Sequence, residues 1–159
     1  MLRMFCAVHL VGCLSSTAQL MESNMADDRS REKRRLAMQA VRQVDTAPEL
    51  IVRRLLHSLG YRYRLHRRDL PGTPDIVFPS RKKVIFVHGC FWHGHECRRG
   101  QLPKSRVEYW APKLKANQLR DERVAMELRC AGWEVLVVWQ CMLADDERLQ
   151  ELLCDFLAA

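Results

Sequence analysis

The stretch VIFVHGCFWHGHEC, residues 84–97, decides how the chain is read. Its first four residues are uniformly apolar, the mark of a strand buried on both faces. Its last ten crowd three histidines, two cysteines and a Phe-Trp pair onto the strand's carboxyl end. Cys90, His95 and Cys97 carry the C-x-x-x-x-H-x-C spacing of a metal knuckle. Two thiolates and an imidazole suit zinc, which needs a fourth ligand to close a tetrahedral structural site. Cys141 ends the apolar run EVLVVWQC, and that strand would pair near the one ending at His88, so Cys141 is the natural fourth ligand. The bland alternative, unrelated buried thiols, fits poorly with three ligands inside eight residues. Four ligands saturate a structural zinc, so His88 and His93 are left for other work.

Working outward, RKKVIFVH is one strand, and LPGTPDIVF is a turn followed by a short strand starting near Asp75. TAPELIVRRLLHSLG is a helix, with Thr46 as N-cap, Glu49 three residues on as in a capping box, and Pro48 in the first turn. Val52, Leu55, Leu56 and Leu59 repeat at helical spacing, and Gly60 can end the helix. YRYRLHRR alternates Tyr and Leu with basic residues and reads as a strand with one charged face. A long helix over 106–131, a buried strand WEVLVVWQC and a last amphipathic helix over 145–157 follow. This order predicts a mixed α/β sheet covered by helices on its faces.

With 159 residues the chain has room for one domain with a real core. No stretch is long and apolar enough to span a bilayer, and an odd count of seven cysteines argues against a secreted disulfide scaffold. The net charge of +7 favours a polyanionic partner, nucleic acid ahead of a membrane surface, because no basic amphipathic helix with an aromatic face stands out. The opening MLRMFCAVHLVGCLSSTAQ looks like a secretory leader. Met25 nevertheless opens a fitting alternative start, and exporting a reduced Cys/His cluster makes little physical sense. Residues 1–24 are therefore expected to be an extension outside the fold, disordered or the product of a misplaced start, and 25–159 a single domain. Residues 26–45, with Arg29, Arg31, Lys33, Arg34, Arg35 and Arg42, read either as a solvated helix or as an arm that orders on a phosphate backbone.

Asp75 supplies an anion for the leftover histidines. Pro-Asp entering a strand, with a second buried strand about ten residues on, is how PD-(D/E)xK nucleases place a magnesium-binding carboxylate, and a hard cation takes oxygen ligands. The second half of that motif fails: Phe86-Val87-His88 stands where the superfamily has Glu-x-Lys. Either the match is accidental, or histidine replaces the lysine. Phe91 and Trp92 sit between Cys90 and His93, where they are either a core plug or a wedge for a base stack, with Trp110 as a third candidate. Asn117 and Asp121 lie four apart, on one face of the long helix.

LPGTPDIVF, VIFVHGCFWHGHEC, RVEYWAPK, ANQLRD and GWEVLVVWQC together resemble the very short patch repair (Vsr) DNA mismatch endonucleases, from about Met25 to Cys141. The HGCFWH block is the most specific part. The resemblance implies a restriction-endonuclease-like fold of the PD-(D/E)xK type, with a structural zinc site. It also implies a magnesium-dependent enzyme that nicks one strand beside the thymine of a T:G mismatch left by 5-methylcytosine deamination. By position, Asp75 and the carbonyl of Val87 match magnesium ligands. His88 and His93 match catalytic histidines, with His93 moving a proton through a metal-bound water. Glu49 and Asp121 match acidic residues of the site; for Glu49 the plain capping-box reading stays open. Cys90, His95, Cys97 and Cys141 match the zinc ligands. Phe91, Trp92 and Trp110 match the intercalating aromatics, and Lys113 and Asn117 match contacts to the mispaired bases. Gly94 and Glu96 interrupt what is often a longer histidine run, and Val87 stands where Thr is common.

The expectation is thus a monomeric, cytoplasmic endonuclease acting on mismatched duplex DNA, with two magnesium ions, one structural zinc and other mismatch-repair proteins as further partners. The rival reading is a non-catalytic, zinc-containing DNA-binding module in which Asp75 and the free histidines are merely structural. A zinc hydrolase ranks behind both, since four protein ligands leave the zinc no open position.

Overall fold

The computed structural model describes residues 44–158, together with Lys33 and Leu36. The expectations for the 1–24 extension and for most of the basic arm lie outside the described residues. In chain order the elements are α1 (Ala47–Ser58), β1 (Arg64–Leu65), β2 (Ile76–Phe78), β3 (Lys83–His88), α2 (Val107–Cys130), β4 (Glu134–Trp139) and α3 (Asp146–Ala158). The order of helices and strands matches the sequence pattern.

Helix α1 begins where its chemistry says it should. Thr46 is the N-cap, its hydroxyl oxygen accepts the Glu49 amide, and the Glu49 side chain reaches back to the cap, so the capping box is complete. Gly60, just past the end, has φ +84, a backbone state that glycine adopts without a Cβ penalty.

The sheet runs β1-β2-β3-β4. β1 pairs β2 and β2 pairs β3 antiparallel, whereas β3 pairs β4 in parallel from Lys83↔Glu134 to His88↔Trp139. The apolar run of β3 is buried along its whole length, as a central strand requires. Successive side chains of a strand point to opposite faces. Ile85 and Val87 accordingly join Val52 and Leu56 of α1 and Leu149, Leu153 and Leu157 of α3 in one core. Val84 and Phe86 join Leu128 of α2 and Trp133 in the other. His88 continues the parity of Val84 and Phe86, so it emerges on the side covered by α2.

Two expectations about strands need correction. WEVLVVWQC is not a buried strand: β4 has a neighbour on one side only, and just Val138 within it is fully covered. An edge strand leaves one row of backbone and much of its side-chain surface open. YRYRLHRR forms only the two-residue β1; Tyr61 and Tyr63 instead pack edge-on against Phe78, with ring centroids 6.2 and 6.0 Å away.

The far end of the sheet is fastened by basic side chains. Arg81 Nη1 donates to the Leu157 carbonyl at 2.7 Å and Lys83 Nζ to the Phe156 carbonyl at 2.6 Å. Both serve carbonyls that the last turn of α3 leaves without intrahelical partners. Leu153 packs from α3 into the first core and is fully buried. Leu153→Ala is expected to lower stability by about 2–5 kcal/mol, read from urea unfolding followed by far-UV circular dichroism.

Candidate active site and metal centre

Three side-chain clusters gather at the carboxyl end of β3. In the first, Cys90, His95, Cys97 and Cys141 offer ligand atoms that all lie within 4.8 Å of one another. Four ligands at zinc bond lengths stand about 3.8 Å apart at the corners of a tetrahedron, so this donor set fits that ion. Cys141 lies just beyond β4 in a short turn over Gln140–Ala144, carried there by the parallel pairing that sets Trp139 beside His88. The loop itself is tightly folded. The His95 amide donates to the Cys90 carbonyl at 3.0 Å, and a Cβ on Gly100 would come within 1.9 Å of the His95 carbonyl oxygen. Burial pushes the Cys90 thiol up to about 11, while the His95 side chain pulls Cys97 down to about 6.

The second cluster is His88, His93 and Asp121. The two imidazoles stack at 3.8 Å between centroids, with 10° between planes. His93 Nδ1 lies 2.5 Å from Asp121 Oδ2, so Nδ1–H donates to the carboxylate and Nε2 is left as the free, proton-accepting nitrogen. Burial, and then the neighbouring His93, press His88 down to about 3, so it stays neutral at physiological pH. Trp139 separates this cluster from the first: His88 meets its ring edge-on at 5.4 Å, and His95 stacks on it at 4.3 Å.

The third cluster surrounds Asp75, at the entrance to β2. Asp75 Oδ2 accepts the Val87 N–H at 2.8 Å, one residue before His88. The N–H and C=O of a strand residue point to the same edge. The Val87 carbonyl therefore faces the same side, beyond the last β2–β3 rung at Ile76↔Ile85. One carboxylate and one carbonyl are hard oxygen donors of the kind that magnesium takes. Burial raises Asp75 to about 6 against the opposing Val87 hydrogen bond, with Glu49 adding a smaller push upward. Asp75 is not a member of the His88–His93–Asp121 group; the Val87–His88 backbone joins the two.

Glu49 is fully engaged. Its Oε1 accepts the Thr46 hydroxyl at 2.8 Å, and its Oε2 accepts Arg53 Nη2 at 2.6 Å and the Asp45 amide at 3.2 Å. The capping-box reading is therefore realised, alongside a position that raises Asp75. Sequence reasoning missed Arg53 and His66, which complete this cluster. The spacing of Glu49 and Arg53, four apart on a helix, is the one signal that could have paired them; nothing in the sequence marks His66.

Phe91, Trp92 and Trp110 form a half-buried patch, edge-on to one another with centroids 5.1–6.0 Å apart, and Tyr109 adds a fourth ring 5.0 Å from Trp110. Asn117 Nδ2 donates to the Trp92 carbonyl at 2.9 Å and Gln118 Nε2 to the Gly94 carbonyl at 3.1 Å, so α2 holds the aromatic loop from beneath. Lys113 is exposed one turn after Tyr109, with Nζ 5.6 Å from that ring's centre.

A mixed sheet thus brings a carboxylate from the start of β2, stacked imidazoles and a Cys/His cluster together at the carboxyl end of β3. The family model described as DNA mismatch endonuclease Vsr matches residues 26–99. The type II nicking enzyme V.XorIIP of Xanthomonas oryzae pv. oryzae is 62% identical over 133 residues, 84% of this chain and 98% of that protein. The type II nicking enzyme V.NmeAIP of Neisseria meningitidis is 40% identical over 80% of this chain and 94% of its own length. The DNA mismatch endonuclease Vsr of Escherichia coli is 40% identical over 80% of this chain and 81% of its own length. The chain belongs to the Vsr DNA mismatch endonuclease family, whose fold is restriction-endonuclease-like. No helix among the described residues is long and apolar enough to cross a membrane.

The shifted groups give a pH test. A folded-state value of about 6 lies above the ordinary carboxyl value of 3.8, so the folded protein holds the Asp75 proton more tightly than the unfolded chain. Its contribution to stability is present below about pH 4 and is lost as pH rises through about 6. Asp75→Asn is therefore expected to raise the melting temperature at pH 7.5 in magnesium-free buffer and to leave it little changed near pH 4. His88 has the opposite form: its lowered value weakens the fold as pH falls from about 6.5 toward 3. Its ring resonances should not titrate between pH 5 and 8 in an NMR titration.

Proposed function

We propose that the protein is a magnesium-dependent endonuclease that nicks one DNA strand beside the thymine of a T:G mismatch and so initiates very short patch repair. The observation that carries this reading is the pairing of Asp75 with Val87, one residue from the stacked His88 and His93. A hard-cation donor set and a proton-accepting imidazole thus share one strand end.

Bound magnesium, two ions by the family resemblance, would neutralise the phosphate and stabilise the attacking and leaving oxygens. Asp75 and the Val87 carbonyl are the residues that would hold it. His93 accepts a proton from the attacking water at Nε2, and Asp121, on the opposite ring nitrogen, orients the ring and stabilises the imidazolium that forms. His88 remains neutral and packs the face of His93. Glu49 borders the site and fixes its floor rather than reaching out of it, because both of its oxygens are taken.

The zinc reading rests on the four-residue donor set, which clamps the loop carrying Phe91 and Trp92. Rigid aromatics beside Trp110 suit a wedge, and a mismatched step unstacks at lower cost than a paired one, so insertion favours the lesion. Asn117 reaches the mispaired bases only with the part of its amide that Trp92 leaves free; Lys113, exposed beside Tyr109, reaches them by leaving its 3.4 Å contact with Tyr109 Oη. The basic arm with Arg29 and Arg42 would embrace the duplex and make binding salt-dependent. Duplex DNA is the partner, with other mismatch-repair proteins as further candidates, the chain acting as a monomer in the cytoplasm.

Magnesium added to a labelled duplex with one T:G pair is expected to give a single-strand nick, absent with a T:A control. Asp75→Ala should abolish nicking while mismatch binding, read by gel shift, persists. His93→Ala should slow it by about 10²–10⁴-fold. Binding without any nick by the unaltered protein would establish the non-catalytic reading instead. Cys141→Ser is expected to lose about one equivalent of zinc by elemental analysis and to melt earlier, since a structural zinc contributes folding energy directly.

A further inference from the structure

Beside Asp75, Glu49 belongs to a cluster whose other members, Asp45, Arg53 and His66, the catalytic reading leaves without a role. Arg53 is only 7% exposed. Its Nη1 donates to Asp45 Oδ1 at 2.5 Å, and its Nη2 to Glu49 Oε2 at 2.6 Å and to His66 Nε2 at 2.8 Å. Its Nε is buried without a partner, which costs about 1–3 kcal/mol. The side chain is thus held where its neighbours need it and not where its own donors are best satisfied. Asp45, Glu49 and His66 offer ligand atoms within 4.8 Å of one another, the outline of a cation site. The guanidinium fills that outline, so the resident cation is Arg53 itself.

The contact with His66 carries chemical information. A guanidinium has five donors and no acceptor, so the ring nitrogen it meets must present a lone pair. His66 Nε2 is therefore bare, and the proton of the neutral ring sits on Nδ1. Nδ1 lies 4.0 Å from Asp75 Oδ1, while Asp75 Oδ2 is already on the Val87 amide. At 4.0 Å this is no direct hydrogen bond, but it is an N–H dipole beside the carboxylate, within the span of one shared water.

The backbone is bent to achieve this. Asp45 and His66 have φ of 56° and 45°, a region that side-chain-bearing residues rarely enter, though Asp and His tolerate it best. Such strain persists where the surroundings over-determine it, and it clusters at functional sites. Tyr63 Oη donates to the Arg53 carbonyl at 2.9 Å, which ties the segment bearing His66 to the turn of α1 bearing Arg53.

We propose that Arg53 and His66 are positioning residues for the metal-binding carboxylate: Arg53 fixes the tautomer and orientation of the His66 ring, whose Nδ1–H then steadies Asp75 from the side opposite Val87. This rests on the reading of Asp75 as a metal ligand. Manganese serves as the magnesium probe, with free ion measured by electron paramagnetic resonance on the full chain without DNA. His66→Phe is expected to weaken manganese binding by about tenfold or more, in the range seen when residues that orient metal ligands are replaced. His66→Asn, whose amide nitrogen can stand where Nδ1 stood, should recover affinity to within about threefold of the parent. Arg53→Lys keeps a cation but not the fork, and it should weaken binding as His66→Phe does. Long-range ¹⁵N–¹H spectra should show His66 protonated at Nδ1 alone in the parent protein.

Parent-like manganese affinity in folded His66→Phe and Arg53→Lys, with Asp75→Asn defective, overturns the inference and leaves the nuclease reading standing. An Nε2–H tautomer for His66 overturns it also. Parent-like affinity in Asp75→Asn removes the metal reading of Asp75 itself, and the inference with it.

Discussion

The six-rung parallel pairing of β3 with β4 is the constraint on which the site depends. It aligns His88 with Trp139 and carries Cys141 to within ligand distance of Cys90, His95 and Cys97. A slip of one residue would turn every side chain of β4 to the other face. Trp139 would then leave the space between His88 and His95, and Cys141 would leave the knuckle. The register is secured from both sides of the sheet, by Ile85, Val87 and Val138 in one core and by Val84 and Phe86 in the other.

Trp139 shows how two chemistries coexist within one short loop. A Cys/His donor set and a stacked pair of histidines alternate along residues 88–97, and nothing in their spacing keeps them apart. The indole does so, presenting its face to His95 and its edge to His88. From the other side α2 supplies Asp121 to His93, Asn117 to the Trp92 carbonyl and Gln118 to the Gly94 carbonyl. The loop is thereby fixed by two elements, at its Cys/His end by the turn after β4 and at His93 and its aromatic tip by α2.

The electrostatics around Asp75 follow from crowding acids into a partly buried corner. Asp75 is raised by burial and by Glu49, and the guanidinium of Arg53 answers the charge of Glu49 and Asp45. Removing one partner of such a buried set leaves an uncompensated charge, which is more damaging than the pair is stabilising. Burying the Asp75 carboxylate in this corner disfavours its charged form and so costs stability at neutral pH.

How far each feature could be read from the chain depends on the range over which it is encoded. Local signals were legible. The Thr46–Glu49 capping box started α1, the apolar run of residues 84–87 marked a central strand, and the spacing of Cys90, His95 and Cys97 marked a knuckle. Each depends on neighbours within a few residues, so periodicity and ligand spacing suffice. The expected pairing of the two apolar runs brought Cys141 to that knuckle, and the family resemblance then added Asp121 to the site. What the sequence could not supply was the environment. β4 and β3 carry similar apolar runs, yet one is an edge and the other a centre, because strand order is a property of the whole sheet. Glu49 read equally well as cap or site residue, and tertiary packing made it both by closing Arg53 over it. His66 carried no signal at all; its role arises from a turn that brings an imidazole from β1's end between a helix and Asp75. The sequence by itself determined the elements and the ligand chemistry, since those are set by short-range backbone and side-chain preferences. Only the tertiary structure decided which charges face one another and which partner each ring nitrogen meets, because those depend on distances between segments far apart in the chain.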